Sequence, residues 1–338
     1  MVHPVPRRCK GTFRAAAPYS VIMTRWIGLL FLISPLYSQG TTRFVTVDDG
    51  VRLEALDWGG SGRPLVLLAG GGDTAHVFDD FAPKLTAGCH VYGITRRGFG
   101  ASGFSARNFG PDRLGDDVLK VIDSLKLTRP VLAAHSLGGE ELSSVASRHP
   151  ERIAGVIYLD AAYPYAFDNG KGPHMEDIQA LHGPQFPEPG NADLASFRAL
   201  SEYYVRMNGF AFPEGELREE WQSTPEGRVT RRRDSPGGPL LMTGLKKYTE
   251  IRVPALAIFA NPHALGPWID HNTDPAVRRA AGVYSTALAA LVERQIKVFQ
   301  ECVPAARVVV LRDAHHYVFL SNEADVLREI RAFLSSLR

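Results

Sequence analysis

The chain has 338 residues, of which 45% are hydrophobic and 22% charged, and its formal net charge is +2. That composition excludes a disordered or collagen-like chain and supplies enough apolar residues for a sizeable core. The near-neutral balance gives no basis for nucleic-acid binding, because the one dense basic run, Arg231-Arg232-Arg233, reads as a solvated surface turn.

The first 40 residues read as an address. Arg7, Arg8, Lys10 and Arg14 lie among scattered prolines, and Met23-Thr24-Arg25 then precedes an apolar run from Trp26 to Leu36. A basic residue, about ten apolar ones and then Ser38-Gln39-Gly40 fit a secretory signal peptide with translation starting at Met23. The run is short for a transmembrane helix, which needs about 20 apolar residues. An uncleaved N-terminal anchor is the alternative. The expectation is export, periplasmic or secreted, with the mature domain beginning near Thr41. Cys9 lies in the leader, so Cys89 and Cys302 are left to form either a disulfide or two free thiols.

From Thr42 the pattern turns to strands. Residues 43–47 and 51–58 flank Asp48-Asp49-Gly50 as a hairpin. Pro64 to Ala69 is a continuous apolar run, as in a strand covered on both faces. A helix is predicted over 77–85, a strand over 91–95 and a helix over 111–125, where Leu114, Val118, Val121, Ile122 and Leu125 share one side. Strand 131–134, helix 138–148 and strand 153–159 follow. This alternation predicts a mostly parallel sheet with helices on both faces. It stops over residues 163–250, which are rich in Pro, Gly and charge and show no buried strand. It resumes with strand 253–260, a helix at about 286–300, a strand at 307–311 and a helix at 323–337. The predicted organisation is a leader (1–40), a core (41–162 and 251–338) and a helical cap inserted between two core strands (163–250). Such a cap would cover the sheet edge where open α/β sheets bind ligands. Its Tyr203, Tyr204, Phe210, Phe212 and Trp221 fit either an apolar pocket or the cap's own packing.

The segment Val131-Leu-Ala-Ala-His-Ser-Leu-Gly-Gly139 reads as strand, sharp turn and helix, with Ser136 at the turn. It is the nucleophile-elbow pattern G-x-S-x-G with Ala134 for the first glycine. The turn needs small neighbours, and alanine is small enough. The helix after Ser136 points amide N–H groups toward the site, which favours developing negative charge. The plain alternative is a serine that caps a helix. Ala69-Gly-Gly-Gly-Asp73 is a glycine loop that lets backbone approach a ligand closely. It lacks the Lys-Ser/Thr ending of a phosphate-binding loop. No Cys or His cluster has the spacing of a metal site.

Taken with Gly93-Ile-Thr-Arg-Arg-Gly-Phe-Gly-Ala-Ser-Gly103 and Pro150-Glu-Arg-Ile-Ala-Gly155, these motifs make residues 42–338 resemble the α/β-hydrolase superfamily. Thr95 stands where that family commonly has Asp, and Ala69 where it has His. The resemblance implies a catalytic histidine after the last core strand. There His316 precedes Tyr317 and Val318-Phe319-Leu320 as such histidines do, with His315 as its competitor. It implies an oxyanion hole from the backbone N–H groups of Gly71 and Leu137. It also implies an acid after the post-cap strand, but Phe259-Ala-Asn-Pro-His-Ala264 has no carboxylate there. Some members place the acid one strand earlier, and Asp160 at the end of Ile157-Tyr-Leu-Asp160 is assigned, with Asp270 as the alternative and Asp274 on the same uncertain loop. The expected activity is hydrolysis of carboxylic esters or related small acyl compounds by Ser136, His316 and Asp160, without cofactor or metal. Other Ser-triad chemistry (C–C bond hydrolysis, amidase, perhydrolase or acyltransferase activity) and a non-catalytic binding protein on the same fold are the alternatives. Oligomeric state is not readable.

Overall fold

The computed structural model describes residues 40–107 and 109–337. The leader and its signal-peptide reading lie outside them. Among the described residues no helix is long and apolar enough to cross a membrane.

An eight-stranded sheet forms the centre. Strands β1 (Thr41–Asp48) and β2 (Val51–Gly60) make the expected hairpin, turning at Gly50 with φ of 71°. They are followed by β3 (Arg63–Leu68), β4 (Cys89–Ile94), helix α1 (Pro111–Ser124), β5 (Val131–His135), α2 (Gly138–Arg148) and β6 (Gly155–Leu159). The insert carries α3 (Met175–Gln179), α4 (Phe197–Asn208), α5 (Glu214–Glu220), β7 (Trp221–Ser223) and β8 (Val229–Arg232). The sheet resumes with β9 (Ala255–Ala260), then α6 (Pro267–Asp270), α7 (Pro275–Cys302), β10 (Ala306–Leu311), α8 (Val318–Ser321) and α9 (Glu323–Ser336).

The strand order is β1-β2-β4-β3-β5-β6-β9-β10, with antiparallel pairing only at β1-β2 and β2-β4. The parallel strands β5, β6 and β9 are buried at every position. Their alternation sorts side chains into two cores. Val66, Leu68, Leu132, Ala134 and Phe259 face α1, α2 and α7, while Leu65, Leu67, Ala133, Ile157 and Ile258 face α9 and the short turns at Phe78 and Leu85. Apolar runs covered on both faces are what made these strands readable.

Three expectations need correction. The helix expected at 77–85 is two 3-10 turns, Ala75–Phe78 and Ala82–Leu85, because Pro83 has no N–H to continue a helix through the segment. The helix expected at 286–300 begins eleven residues earlier, at Pro275, since Asp274 caps the Ala276 N–H and Pro275 takes the first helical position. The insert contains a two-stranded hairpin, β7-β8, which seals a third core around Tyr203, Tyr204, Trp221 and Val229. Of the two alternatives left open for Cys89 and Cys302, the structure has the free thiols.

Arg97 is wholly buried, and its guanidinium donates two hydrogen bonds to Asp117 on α1, at 2.6 and 2.7 Å. The pair ties the loop after β4 to α1. Removing the carboxylate strands a buried cation, which typically costs about 3–5 kcal/mol. Asp117→Ala should therefore lose about that much stability in urea unfolding, and a loss under 1 kcal/mol would contradict this account.

Candidate active site

Five adjacent strands bring the site together. In the sheet order β3-β5-β6-β9-β10, each strand's C-terminal end feeds one part: the glycine loop, Ser136, Asp160, His263 and His316. Parallel neighbours lie about 4.8 Å apart, so groups at their ends fall within side-chain reach of one another.

Ser136 has φ of 47°, a left-handed conformation that costs a non-glycine residue on the order of 1–3 kcal/mol. Tight packing holds it there. A β-carbon on Gly138 would lie 2.7 Å from the Ala69 carbonyl oxygen, and one on Gly139 would overlap the Ala161 carbonyl oxygen. Ala134, the residue in place of the motif's first glycine, is fully buried in β5 and fits. The glycine loop presses on the same turn, since a β-carbon on Gly70 would lie 2.8 Å from His135 Nδ1 and one on Gly71 2.6 Å from the Leu137 side chain. Arg96 fixes that loop by donating to the carbonyls of Gly70 and Ala69 at 2.9 and 3.0 Å while paired with buried Glu141. The motif around Thr95 and Arg96 thus supports the loop from behind.

Ser136 Oγ lies 2.9 Å from His316 Nε2, and His316 Nδ1 lies 2.7 Å from Asp160 Oδ2. Asp160 is fully buried, and its carboxylate accepts four hydrogen bonds. Oδ1 takes the Tyr163 hydroxyl and the Ala260 N–H, both at 2.9 Å. Oδ2 takes His316 and also His263 Nε2, at 2.6 Å. An ionised carboxylate only accepts, so both imidazoles present N–H to it. In neutral His316 this leaves Nε2 free of a proton and able to accept from the Ser136 hydroxyl. Burial alone would raise the Asp160 pKa, but His263 and His316 outweigh it and hold the carboxyl well below its usual range.

Burial, helped by His135 and His263, lowers the His316 pKa despite Asp160. His135, the residue before Ser136, is buried and donates from Nε2 to the His316 carbonyl at 3.2 Å. The nucleophile strand thereby pins the backbone of the histidine. His315 is elsewhere: its Nδ1 accepts the Tyr317 N–H, its ring meets Phe210, and burial with neighbouring imidazoles pushes it down to about 3. Asp270 is exposed at the end of α6, and Asp274 is spent capping α7.

A cavity of about 450 Å³ opens over Ser136 and His316. Its walls include Tyr165, Ile178, Phe186, Trp268, Tyr284 and Leu288, and among the described residues no Lys, Arg, Asp or Glu lines it. The aromatics singled out in the insert are not part of it. Tyr203, Tyr204 and Trp221 pack on one another in the third core, and Phe212 packs edge-on against Tyr317. Tyr165 and Ser136 line the same cavity.

Sequence reasoning missed His263 and Tyr163. Residues 259–264 carry no carboxylate, and nothing in their local pattern sets the histidine among them apart. The usable signal was that very vacancy: with the acid moved to the end of β6, the loop after β9 must still fill the neighbouring position. Asp160, His263 and His316 also form a His₂-carboxylate group in space. Their N–O spacings of 2.6 and 2.7 Å are those of N–H···O bonds. Two ligands about 2.0–2.1 Å from one tetrahedral zinc stand roughly 3.3 Å apart. The clamp on Asp160 by Tyr163 and Ala260 opposes that expansion, so the donor set does not fit a metal.

Residues 65–329 match the sequence profile of the Alpha/beta hydrolase family. The chain is similar to a non-heme chloroperoxidase of Kitasatospora aureofaciens, 33% identical over 132 residues, which are 38% of this chain and 47% of that protein. It is also similar to Epoxide hydrolase A of Mycobacterium tuberculosis, 27% identical over 212 residues, or 59% and 65% of the two chains. The matched stretches thus span less than two thirds of either relative. Among solved structures, E-2-(acetamidomethylene)succinate hydrolase superposes with a TM-score of 0.61 over 88% of this chain and all of its own, at 18% identity, a likeness of fold alone.

The elbow packing is testable. Gly139→Ala should destabilise the protein by about 1–3 kcal/mol through overpacking against Ala161, read as a lowered thermal midpoint. An unchanged midpoint would show that α2 has room to move off β6.

Proposed function

The chain belongs to the alpha/beta hydrolase family, and within it we propose a serine hydrolase that cleaves carboxylic esters or related small acyl compounds through an acyl-enzyme. The observation that carries this reading is the continuous hydrogen-bonded path from Ser136 through His316 to Asp160 at the floor of a cavity. Ser136 Oγ attacks the substrate carbonyl as His316 Nε2 takes its proton. Asp160 holds the ring and stabilises the imidazolium. The backbone N–H groups of Gly71 and Leu137 meet the developing oxyanion, where preorganised donors are most effective. His316 then protonates the departing alkoxide, leaving an ester on Ser136. Water adds to that ester with His316 again as base, releasing acid and free serine.

The epoxide hydrolase among the relatives raises a different reading, but the elbow here carries a hydroxyl rather than a carboxylate. Ser136→Ala should abolish labelling by a fluorophosphonate probe. Asp160→Asn should lower kcat/KM about 10³–10⁴-fold with the fold retained, whereas Asp270→Asn should leave it unchanged. Equal labelling of wild type and Ser136→Ala would remove the enzyme reading.

The cavity's chemistry narrows the substrate. A wall without fixed charge gives a carboxylate nothing to offset its desolvation. Neutral acyl groups of medium length, or aromatic ones, suit walls formed by Ile178, Phe186, Trp268 and Leu288. In a series of nitrophenyl esters, kcat/KM should rise from acetyl to hexanoyl, by a factor of about 4 per fully buried methylene. An acyl chain of equal length ending in a carboxylate should be at least tenfold poorer. Preference for acetyl or for the anionic chain would contradict this assignment.

A further inference from the structure

The proposed chemistry uses one imidazole on Asp160, yet the structure supplies two. His263 Nε2 and His316 Nδ1 bond the same oxygen, Oδ2, at 2.6 and 2.7 Å, while Tyr163 and Ala260 saturate Oδ1. His263 does not reach Ser136 or the reacting atoms through any hydrogen bond of the structure. It comes from the loop after β9, held by the pairing of His263 with Ala314 and by the Ala264 N–H to Ala314 carbonyl bond at 2.9 Å. Its side chain is 8% exposed.

We propose that His263 is a positioning residue: by donating to the Asp160 oxygen that also serves His316, it divides the carboxylate's charge and keeps His316 a neutral base in more acidic water. This rests on the serine-hydrolase reading of the same site. The reasoning is electrostatic. A carboxylate with one imidazole partner stabilises that partner's cation fully. With a second N–H on the same oxygen, less negative charge faces His316, and a proton on His263 would add repulsion. The directions agree. Burial lowers His263, but Asp160 outweighs it and holds His263 above the ordinary imidazole value, whereas His316 on the same oxygen lies below it.

Among the described residues, no other anion that could take Asp160's place bonds His263. From β6 and its turn come Asp160, Tyr163 and Tyr165; from the β10 loop, His315 and His316; from β5, His135. On the outer side Asp270, Arg278 and Asp313 line a second cavity that His263 also borders, without bonding it. Only Asp160 both bonds and attracts it.

The sign follows. Protonated His316 cannot accept from Ser136, so kcat/KM rises with pH as His316 loses its proton. Wild-type enzyme should show that acidic limb below the ordinary imidazole value of about 6.5. His263→Leu removes the second donor and gives Oδ2 wholly to His316, so the limb should move up by roughly one pH unit. His263→Gln restores a neutral amide donor and should bring it back toward wild type. The same midpoint read on the His316 ring by ¹⁵N NMR gives the titration without turnover. A His316 midpoint unmoved in His263→Leu, or moved down, overturns the inference even where activity falls. If His263→Leu does not fold, His263→Asn, whose shorter amide falls short of Asp160, is compared with His263→Gln by the same readout. Absence of Ser136 labelling in the wild type would instead defeat the hydrolase reading, and the NMR titration would still decide the role of His263.

Discussion

Everything at this site depends on a carboxylate placed where water cannot reach it. Burying an ionised Asp costs several kcal/mol unless its lone pairs are met. Asp160 meets the requirement with four donors, drawn from its own turn (Tyr163), from β9 (Ala260), from the loop after β9 (His263) and from the loop after β10 (His316). The two catalytic-edge loops are therefore held by the same ion that orients the base. Asp160 also has φ of 48°, so its backbone bends sharply, as that of Ser136 does one strand away. Two strained residues, each just past the end of β5 or β6, persist because those strands are buried at every position and leave no room to relax.

The opposite wall of the site is built differently. There the backbone of the glycine loop, not an ion, has to sit close to Ser136. Arg96 satisfies the carbonyls of Ala69 and Gly70 from behind, and Glu141 on α2 balances its charge. Because α2 also begins at the elbow, one helix serves the nucleophile and the loop that faces it. The site thus has a polar frame on both sides and an apolar cavity above.

Much of this was legible in the sequence. The strands β3, β5, β6 and β9 announced themselves as unbroken apolar runs, and Ser136 lay between one of them and a helix. His316 and Asp160 lie at strand ends, and the structure brings both into one hydrogen-bonded chain with Ser136, even though β9 carries no carboxylate after it. Misreadings arose where local pattern does not carry the information. Pro83 turned an apparent helix into two short turns. The aromatics of the insert met one another rather than the cavity, because side chains on α4 and β7 close their own small core. His263 is visible only once β9 lies beside β6, and pairing order across 100 residues leaves no trace in local periodicity. The disulfide question had the same character, since two distant cysteines reveal nothing of their separation.

The central claim is that one buried carboxylate oxygen serves two imidazoles at once. Proton NMR at low temperature reads this directly. Two exchange-protected imidazole N–H resonances should appear downfield of the amide region, assigned to His316 Nδ1–H and His263 Nε2–H, and both should disappear in Asp160→Ala. A single such resonance in the wild type, or one that survives loss of the carboxylate, would contradict the account.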